Sequence, residues 1–199
     1  MKVLRITIPV LLLFTVLFTS CSDDDVPEAE NEEEVINQIT LTFTPSEGTE
    51  VVTATYYDPD GEGTEKPTQD DIVLKANTEY TLTMSLKNTV GDENEDITEE
   101  IKEESDAHMF FFGFTEGLFS DPQGTGNIGA GNRDDKDINY EDKDVNSLPL
   151  GLTTTWTTAE AKSGNFRIIL KHQPNLKSES TTTEDGQSDV DLNWKIEIK

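Results

Sequence analysis

Tyr80-Thr81-Leu82-Thr83-Met84-Ser85-Leu86 alternates one large apolar side chain with one small hydroxyl side chain from end to end. In an extended chain, successive side chains point to opposite faces. Tyr80, Leu82, Met84 and Leu86 therefore make one apolar face, and Thr81, Thr83 and Ser85 make a wet one. A helix would scatter the same residues around its circumference. The stretch reads as a half-buried strand. The same period runs outward from it in both directions. Ile39, Leu41 and Phe43 alternate with threonines, and a Pro45-Ser46-Glu47-Gly48 turn leads on to Val52, Ala54 and Tyr56. Downstream, Leu148, Leu150, Leu152, Thr154 and Trp156 keep one parity, as do Phe166, Ile168 and Leu170. The chain closes on Val190, Leu192, Trp194, Ile196 and Ile198. Shorter candidates are Ile72 to Lys75 and Met109 to Phe114.

Only Asp96 to Ala107 has helical features: Asp96 and Glu99 stand at capping-box spacing, and Ile97 and Ile101 would share a face. The same residues also fit period two. Gly113 to Val145 is a long Gly-, Asn- and Asp-rich stretch, and loops of that length serve function or move. About eight short strands with turn signals between them and at most one short helix predict a mostly β chain. The expected fold is an antiparallel, Ig-like β-sandwich carrying one long loop.

The sequence has 41 acidic against 15 basic residues in 199, a net charge of −26. A surface of that sign repels nucleic acid and anionic lipid headgroups, which excludes both as partners. The charge instead favours solubility and a loose cloud of cations. One cysteine allows no internal disulfide, so the fold must rest on burial alone.

That cysteine, Cys21, closes the N-terminal segment. Lys2 and Arg5 form a positive n-region, Ile6 to Phe18 an apolar h-region, and Thr19-Ser20 a small-residue site. The apolar run is too short to span a bilayer about 30 Å thick as a helix, and it suits an export signal. An ordinary secretory signal with an incidental cysteine also fits these residues. The segment resembles a bacterial lipoprotein signal, with residues 1–20 removed and Cys21 lipidated, although Phe18 stands three before the cysteine with Leu17 one place earlier. Ser22-Asp23-Asp24-Asp25 resembles the export signal of surface-exposed Bacteroidota lipoproteins, which implies display on the outer face of the outer membrane. Read by charge alone, the same acids are a solvated linker. Residues 21–34 as a whole read as an acidic tether of up to roughly 40 Å at about 3.3 Å per residue. Residues 35–199 then form a single sandwich domain.

Four groups of residues invite chemistry. Asp58-Pro59-Asp60-Gly61-Glu62-Gly63 follows a strand and resembles the Asp-x-Asp-Gly loops of extracellular Ca²⁺ sites, with Asp58, Asp60 and Glu62 as ligands. It departs from the EF-hand in the place of its glycine and has Gln69 where the bidentate glutamate would stand. An acid-rich β-turn explains the same letters. His108 is in phase with Phe110, Phe112 and Phe114, and His172 with Phe166, Ile168 and Leu170. Both therefore face the buried side near strand ends. If the two strands meet, His108 and His172 with Glu104 could hold Zn²⁺ or another transition metal; otherwise they are two rim histidines. Gly124-Thr125-Gly126-Asn127-Ile128-Gly129 matches a dinucleotide fingerprint by letter but lacks the strand before it and the helix after it. Phe110, Phe111 and Phe112 cannot all face one side of a strand; Phe111 is expected to face away from the other two, and it either lies under the long loop, the expected outcome, or forms an exposed contact surface.

No G-x-S-x-G elbow or H-E-x-x-H pair is present, and a lipidated Cys21 offers no thiol, so the chain reads as a non-enzyme. Val35 to Gly61, His108 to Phe119 and Phe166 to Ser178 are similar to a group of small flavobacterial lipoproteins. Some of that group carry the label "type 1 periplasmic binding fold". The label implies an α/β fold, which the alternating strands here oppose. The resemblance implies a surface module that captures a nutrient or metal for a TonB-dependent receptor. A structural or adhesive module stiffened by Ca²⁺ is the alternative.

Overall fold

The chain is described from a computed structural model over residues 35–61, 63–91, 94–128 and 138–199. Residues 1–34, with Cys21 and the Ser22 to Asp25 signal, lie outside the described residues, as does Glu62. The elements in chain order are β1 (Gln38–Pro45), β2 (Val52–Tyr57), β3 (Thr68–Gln69), β4 (Ile72–Leu74), β5 (Glu79–Lys87), α1 (Ile97–Glu103), β6 (His108–Phe114), β7 (Phe119–Asp121), β8 (Asn139–Tyr140), β9 (Thr153–Thr158), β10 (Lys162–His172) and β11 (Gln187–Ile198). The chain is mostly β, as the alternation predicts.

The strands form two sheets. One runs β3-β2-β1-β5-β9-β7, with β8 also paired to β9; the other runs β4-β11-β10-β6. All pairings are antiparallel except β4 with β11, which is parallel. Tyr80, Leu82, Met84 and Leu86 of β5 are all buried and share one core with Phe110, Phe112, Phe166 and Trp194 of the second sheet. Trp156 is the meeting point, with Phe119 at 4.8 Å, Phe166 at 5.0 Å, and Phe112 and Phe114 each at 5.5 Å between ring centroids. Most of these rings meet edge to face, the arrangement their quadrupoles favour. Its indole N–H donates to Thr154 Oγ1 at 2.7 Å, so the ring is buried without an orphaned donor.

The helix forms where its cap predicts. Asp96 accepts from the Thr98 N–H, and Ile97 and Ile101 are buried together. Asp96 thus caps the N–H two residues on rather than that of Glu99, and Glu99 pairs with Lys102 on the exposed side, so the helix has a simple N-cap in place of the expected capping box.

Two expectations change. Leu148 to Leu152 is not strand, because Asp142 takes the N–H groups of Gly151 and Thr153, and Gly151 has φ +99°. β9 begins only at Thr153, although Leu150 and Leu152 are still buried. The long Gly113 to Val145 stretch is also not all loop, since it contains β7 and β8. Residues 125–127 lie along the free edge of β6: Phe114 N–H donates to the Thr125 carbonyl, and Asn127 exchanges bonds with Phe112. Tyr140 Oη donates to the Phe110 carbonyl and accepts from Asn127. Met109, Phe111 and Ile169 are buried beneath Ile128 and Tyr140, so Phe111 does lie under this segment. Edge and outer face of the sheet are covered together.

Candidate metal centre

β6 and β10 pair with His172 directly opposite His108. His108 opens β6 and His172 closes β10, so the two rings stand where the apolar rows of the second sheet end. They stack with centroids 4.5 Å apart and planes within 9°. His108 is only 1% exposed, whereas His172 is half-buried.

The turn after α1 fixes the His108 ring. Glu104 caps the helix C-terminus, and its carbonyl oxygen lies 3.2 Å from His108 Nδ1. A carbonyl can only accept, so Nδ1 carries the proton. Burial pushes the His108 imidazole down to about 4; His172 and Lys177 add to this, while the Glu104 carbonyl and Asp106 oppose it. The ring is neutral at physiological pH and has its lone pair on Nε2. A neutral imidazole whose other nitrogen donates to a carbonyl is the state in which histidine binds metal.

Ligand atoms of Glu104, His108 and His172 all lie within 4.8 Å of one another. Ligands on one tetrahedral Zn²⁺, with bonds of 2.0 to 2.1 Å, stand about 3.4 Å apart, so a small inward movement closes the set. Parallel rings aim their in-plane lone pairs side by side, so one ring must turn about χ2 to meet a shared ion. His172, half-buried at a strand end, has the room to turn. Glu104 is exposed and can swing in.

A carboxylate stands on the far side of His108. Asp189 Oδ2 is 3.8 Å from His108 Nε2, and the Asp189 side chain is 5% exposed. A β-bulge explains how it reaches there. Leu170 pairs with Val190, but Lys171 pairs with Ser188, leaving Asp189 as the extra residue of β11. A bulge re-aims its extra side chain. In an unbroken register Asp189 would have faced Lys171 on the other side of the sheet.

The support is polar and buried. Lys177 Nζ lies 2.9 Å from Asp144 Oδ2, both side chains at most 1% exposed, and it donates to the Ser105 carbonyl beside Glu104. Gln173, next to His172, is fully buried; its N–H donates to the Ala107 carbonyl, and Nε2 donates to the carbonyls of Thr182 and Asp185. Gly186 has φ +71°, and a Cβ there would overlap the His172 carbonyl oxygen. These contacts tie the 173–186 loop against the end of β10.

The other candidates separate cleanly from this site. Asp60 Oδ2 accepts from the N–H groups of Thr64 and Glu65, chiefly Glu65, which hold its carboxyl below the usual range. That is the work of a turn residue. Asp58 Oδ1 and Asp60 Oδ1 are nevertheless buried without a hydrogen-bond partner. In the letter match to a dinucleotide fingerprint, Gly126 serves a different purpose: a Cβ there would overlap the Phe112 carbonyl oxygen, so the glycine permits the loop's approach to β6. A concavity of about 500 Å³, bordered by Asp121, Tyr140, Glu141, Lys143 and Glu179, shares no residue with the histidine site.

Sequence periodicity placed both histidines on the buried face but could not show that they meet. Asp189, Lys177 and Asp144 carry no sequence signal, being single charges in a highly charged chain. No protein-family model matches the chain, and neither a curated protein nor a solved structure matches it.

Proposed function

We propose that the chain is a non-catalytic binding module whose ligand is a divalent transition metal of the Zn²⁺ class, held by Glu104, His108 and His172. The observation that carries this reading is the convergence of three ligand atoms within 4.8 Å, two from the ends of the turn between α1 and β6 and one from the end of β10. Imidazole with carboxylate selects Zn²⁺ and its neighbours over Ca²⁺, which prefers an all-oxygen shell. His108 is already neutral, so binding need not displace its proton. The acids Glu103, Glu104 and Asp106 around the rim favour arrival of a cation. Absence of a nucleophile motif and a lone cysteine at position 21 argue against chemistry on the ligand.

The setting we propose is a surface lipoprotein of the outer membrane, anchored through Cys21 and delivering its ion to a TonB-dependent receptor. The signal-like Lys2 to Cys21 segment and Ser22-Asp23-Asp24-Asp25 support it. A gene for such a receptor beside this one would strengthen the delivery step.

Calorimetric titration of Zn²⁺ into the full chain carrying Cys21→Ala, which removes a competing thiol, should show about one ion per chain. His108→Gln and His172→Ala should each weaken binding by roughly tenfold or more. Binding unchanged in both variants would sink the reading. A second reading, a structural module stiffened by Ca²⁺, is favoured only by the partnerless Oδ1 atoms of Asp58 and Asp60. It requires melting to rise in Ca²⁺ and the rise to vanish in Asp58→Asn.

A further inference from the structure

We propose that the concavity of about 500 Å³ beside β8 is a second binding site, whose ligand is a linear aliphatic polyamine carrying two or more ammonium groups. It shares no residue with the histidine centre and stands independently of the metal reading.

The walls are fixed by contacts of their own. β7 and β8 both pair with β9, Asp121 opposite Thr157 and Asn139 opposite Thr155, so together they line one edge of the first sheet. The 143–149 turn closes a second side, and Glu179 of the 173–186 loop a third. The buried Asp144–Lys177 pair ties that turn to that loop, and Lys143 bridges to Pro149 within the turn. The hollow is therefore preformed, and its size is that of small-molecule sites, about 300 to 1,000 Å³.

Hydrogen bonding decides what it can take. Asn139 Nδ2 donates to the Thr155 carbonyl, Thr155 Oγ1 donates to Glu141 Oε1, and Tyr140 Oη donates to the Phe110 carbonyl. The donors of that wall are spent inside the protein. What they leave are acceptors: Asn139 Oδ1, the second oxygen of Glu141, and the carboxylates of Asp121 and Glu179. Only Lys143 and Ser147 keep a side-chain donor. Among the described residues Asp121, Glu141 and Glu179 form no ion pair, and Lys143 pairs with none of them. A ligand has to bring the donors.

Charge and apolar surface narrow the class. Three carboxylates against one ammonium leave a net charge of −2, which repels anions and suits a dication. A hydrated metal ion would answer the charge alone. Ile138 and Pro149 are buried and Leu148 is half-buried along the same lining, a surface that methylene groups cover and water does not. In a polyamine, ammonium donors alternate with short methylene runs, so one molecule meets both needs. Each ammonium–carboxylate contact is then a charge-assisted hydrogen bond.

Spermidine is the probe, titrated calorimetrically into the metal-free full chain with Cys21→Ala. One molecule per chain is expected, with affinity falling as salt rises. Asp121→Asn and Glu179→Gln should each weaken binding roughly three- to tenfold, and Lys143→Gln, which removes a like charge, should strengthen it. Glu65→Gln, near β3 at the opposite edge of the same sheet, should leave it unchanged. All four side chains are exposed, so the folded chain tolerates each change. Equal weakening by Glu65→Gln, or complete displacement of spermidine by equimolar Mg²⁺, would reduce the binding to general attraction between a cation and an acidic surface, and overturns the proposal. Absence of binding overturns it too, as does an affinity indifferent to both Asp121→Asn and Glu179→Gln. None of these results bears on Zn²⁺ at the histidines, which is titrated separately.

Discussion

Unfolding carries His108 from a site where it is 1% exposed into water, where an imidazole takes up a proton near pH 6.5. In the folded chain that proton is refused until about pH 4. Between those values the unfolded state binds more protons, so acid favours unfolding there. The contribution of a neutral His108 is complete above about pH 6.5 and is lost progressively as pH falls toward 4. A shift of this size corresponds to roughly 3 kcal/mol. In metal-free protein kept in chelator, denaturant titrations of the parent and His108→Gln should therefore differ most in pH slope between 6.5 and 4. Parallel slopes would show that His108 is not held neutral. Cys21 is the other residue with a single decisive test. Lipidation predicts a mass increase of the mature chain that disappears, together with membrane fractionation, in Cys21→Ser; an unmodified Cys21 would leave an ordinary exported protein.

Two loops that look like connectors, 141–152 and 173–186, are held to the core by buried charge. Asp144 turns the first by accepting from the N–H groups of Asn146 and Leu148, and Lys177 of the second reaches it at 2.9 Å. Removing one partner of such a pair strands the other without water. Lys177→Met should cost about 3 to 5 kcal/mol in denaturant unfolding. In an Asp144→Asn background, where no carboxylate is left to strand, the same substitution should cost far less; equal losses in both would mean that the lysine acts by packing alone. This pair also marks what sequence could convey. The alternation of Tyr80 to Leu86, and of Val190 to Ile198, follows from a local rule that a strand with one buried face must obey, so the strands and their inward faces were readable. The start of β9 was not, because Leu148 to Leu152 keeps perfect parity and yet is turned aside by Asp142, a contact with no local signature. The strand status of Asn139–Tyr140 likewise depends on pairing with distant β9. Of the candidate centre, the phase of His108 and His172 was legible. Their meeting depends on the β6–β10 register, and Asp189 depends on a one-residue bulge that changes no letter of the pattern.

Across the whole molecule, a net charge of −26 acts on the fold and on the ligand in opposite directions. Like charges crowd one another in the compact state, as around α1, where burial and then the carboxylates of Glu95, Glu104, Glu103 and Asp96 push the Glu100 carboxyl up. That self-repulsion weakens the folded state, and it is screened by salt. The same field draws divalent cations toward the α1 end of the molecule, and screening weakens that attraction. The Debye length falls from about 10 Å at 0.1 M to about 3 Å at 1 M, short enough to remove distant acids from both effects. Ionic strength should therefore separate them. In a salt whose anion binds zinc poorly, the metal-free chain should melt higher as salt rises, while Zn²⁺ affinity falls several-fold. Most of the affinity loss should appear in the association rate, because steering acts before contact. Stopped-flow binding with a competing zinc indicator, run beside thermal melts over the same salt series, measures both. If association is indifferent to salt while melting still rises, the acidic surface serves solubility alone and has no part in gathering the ion.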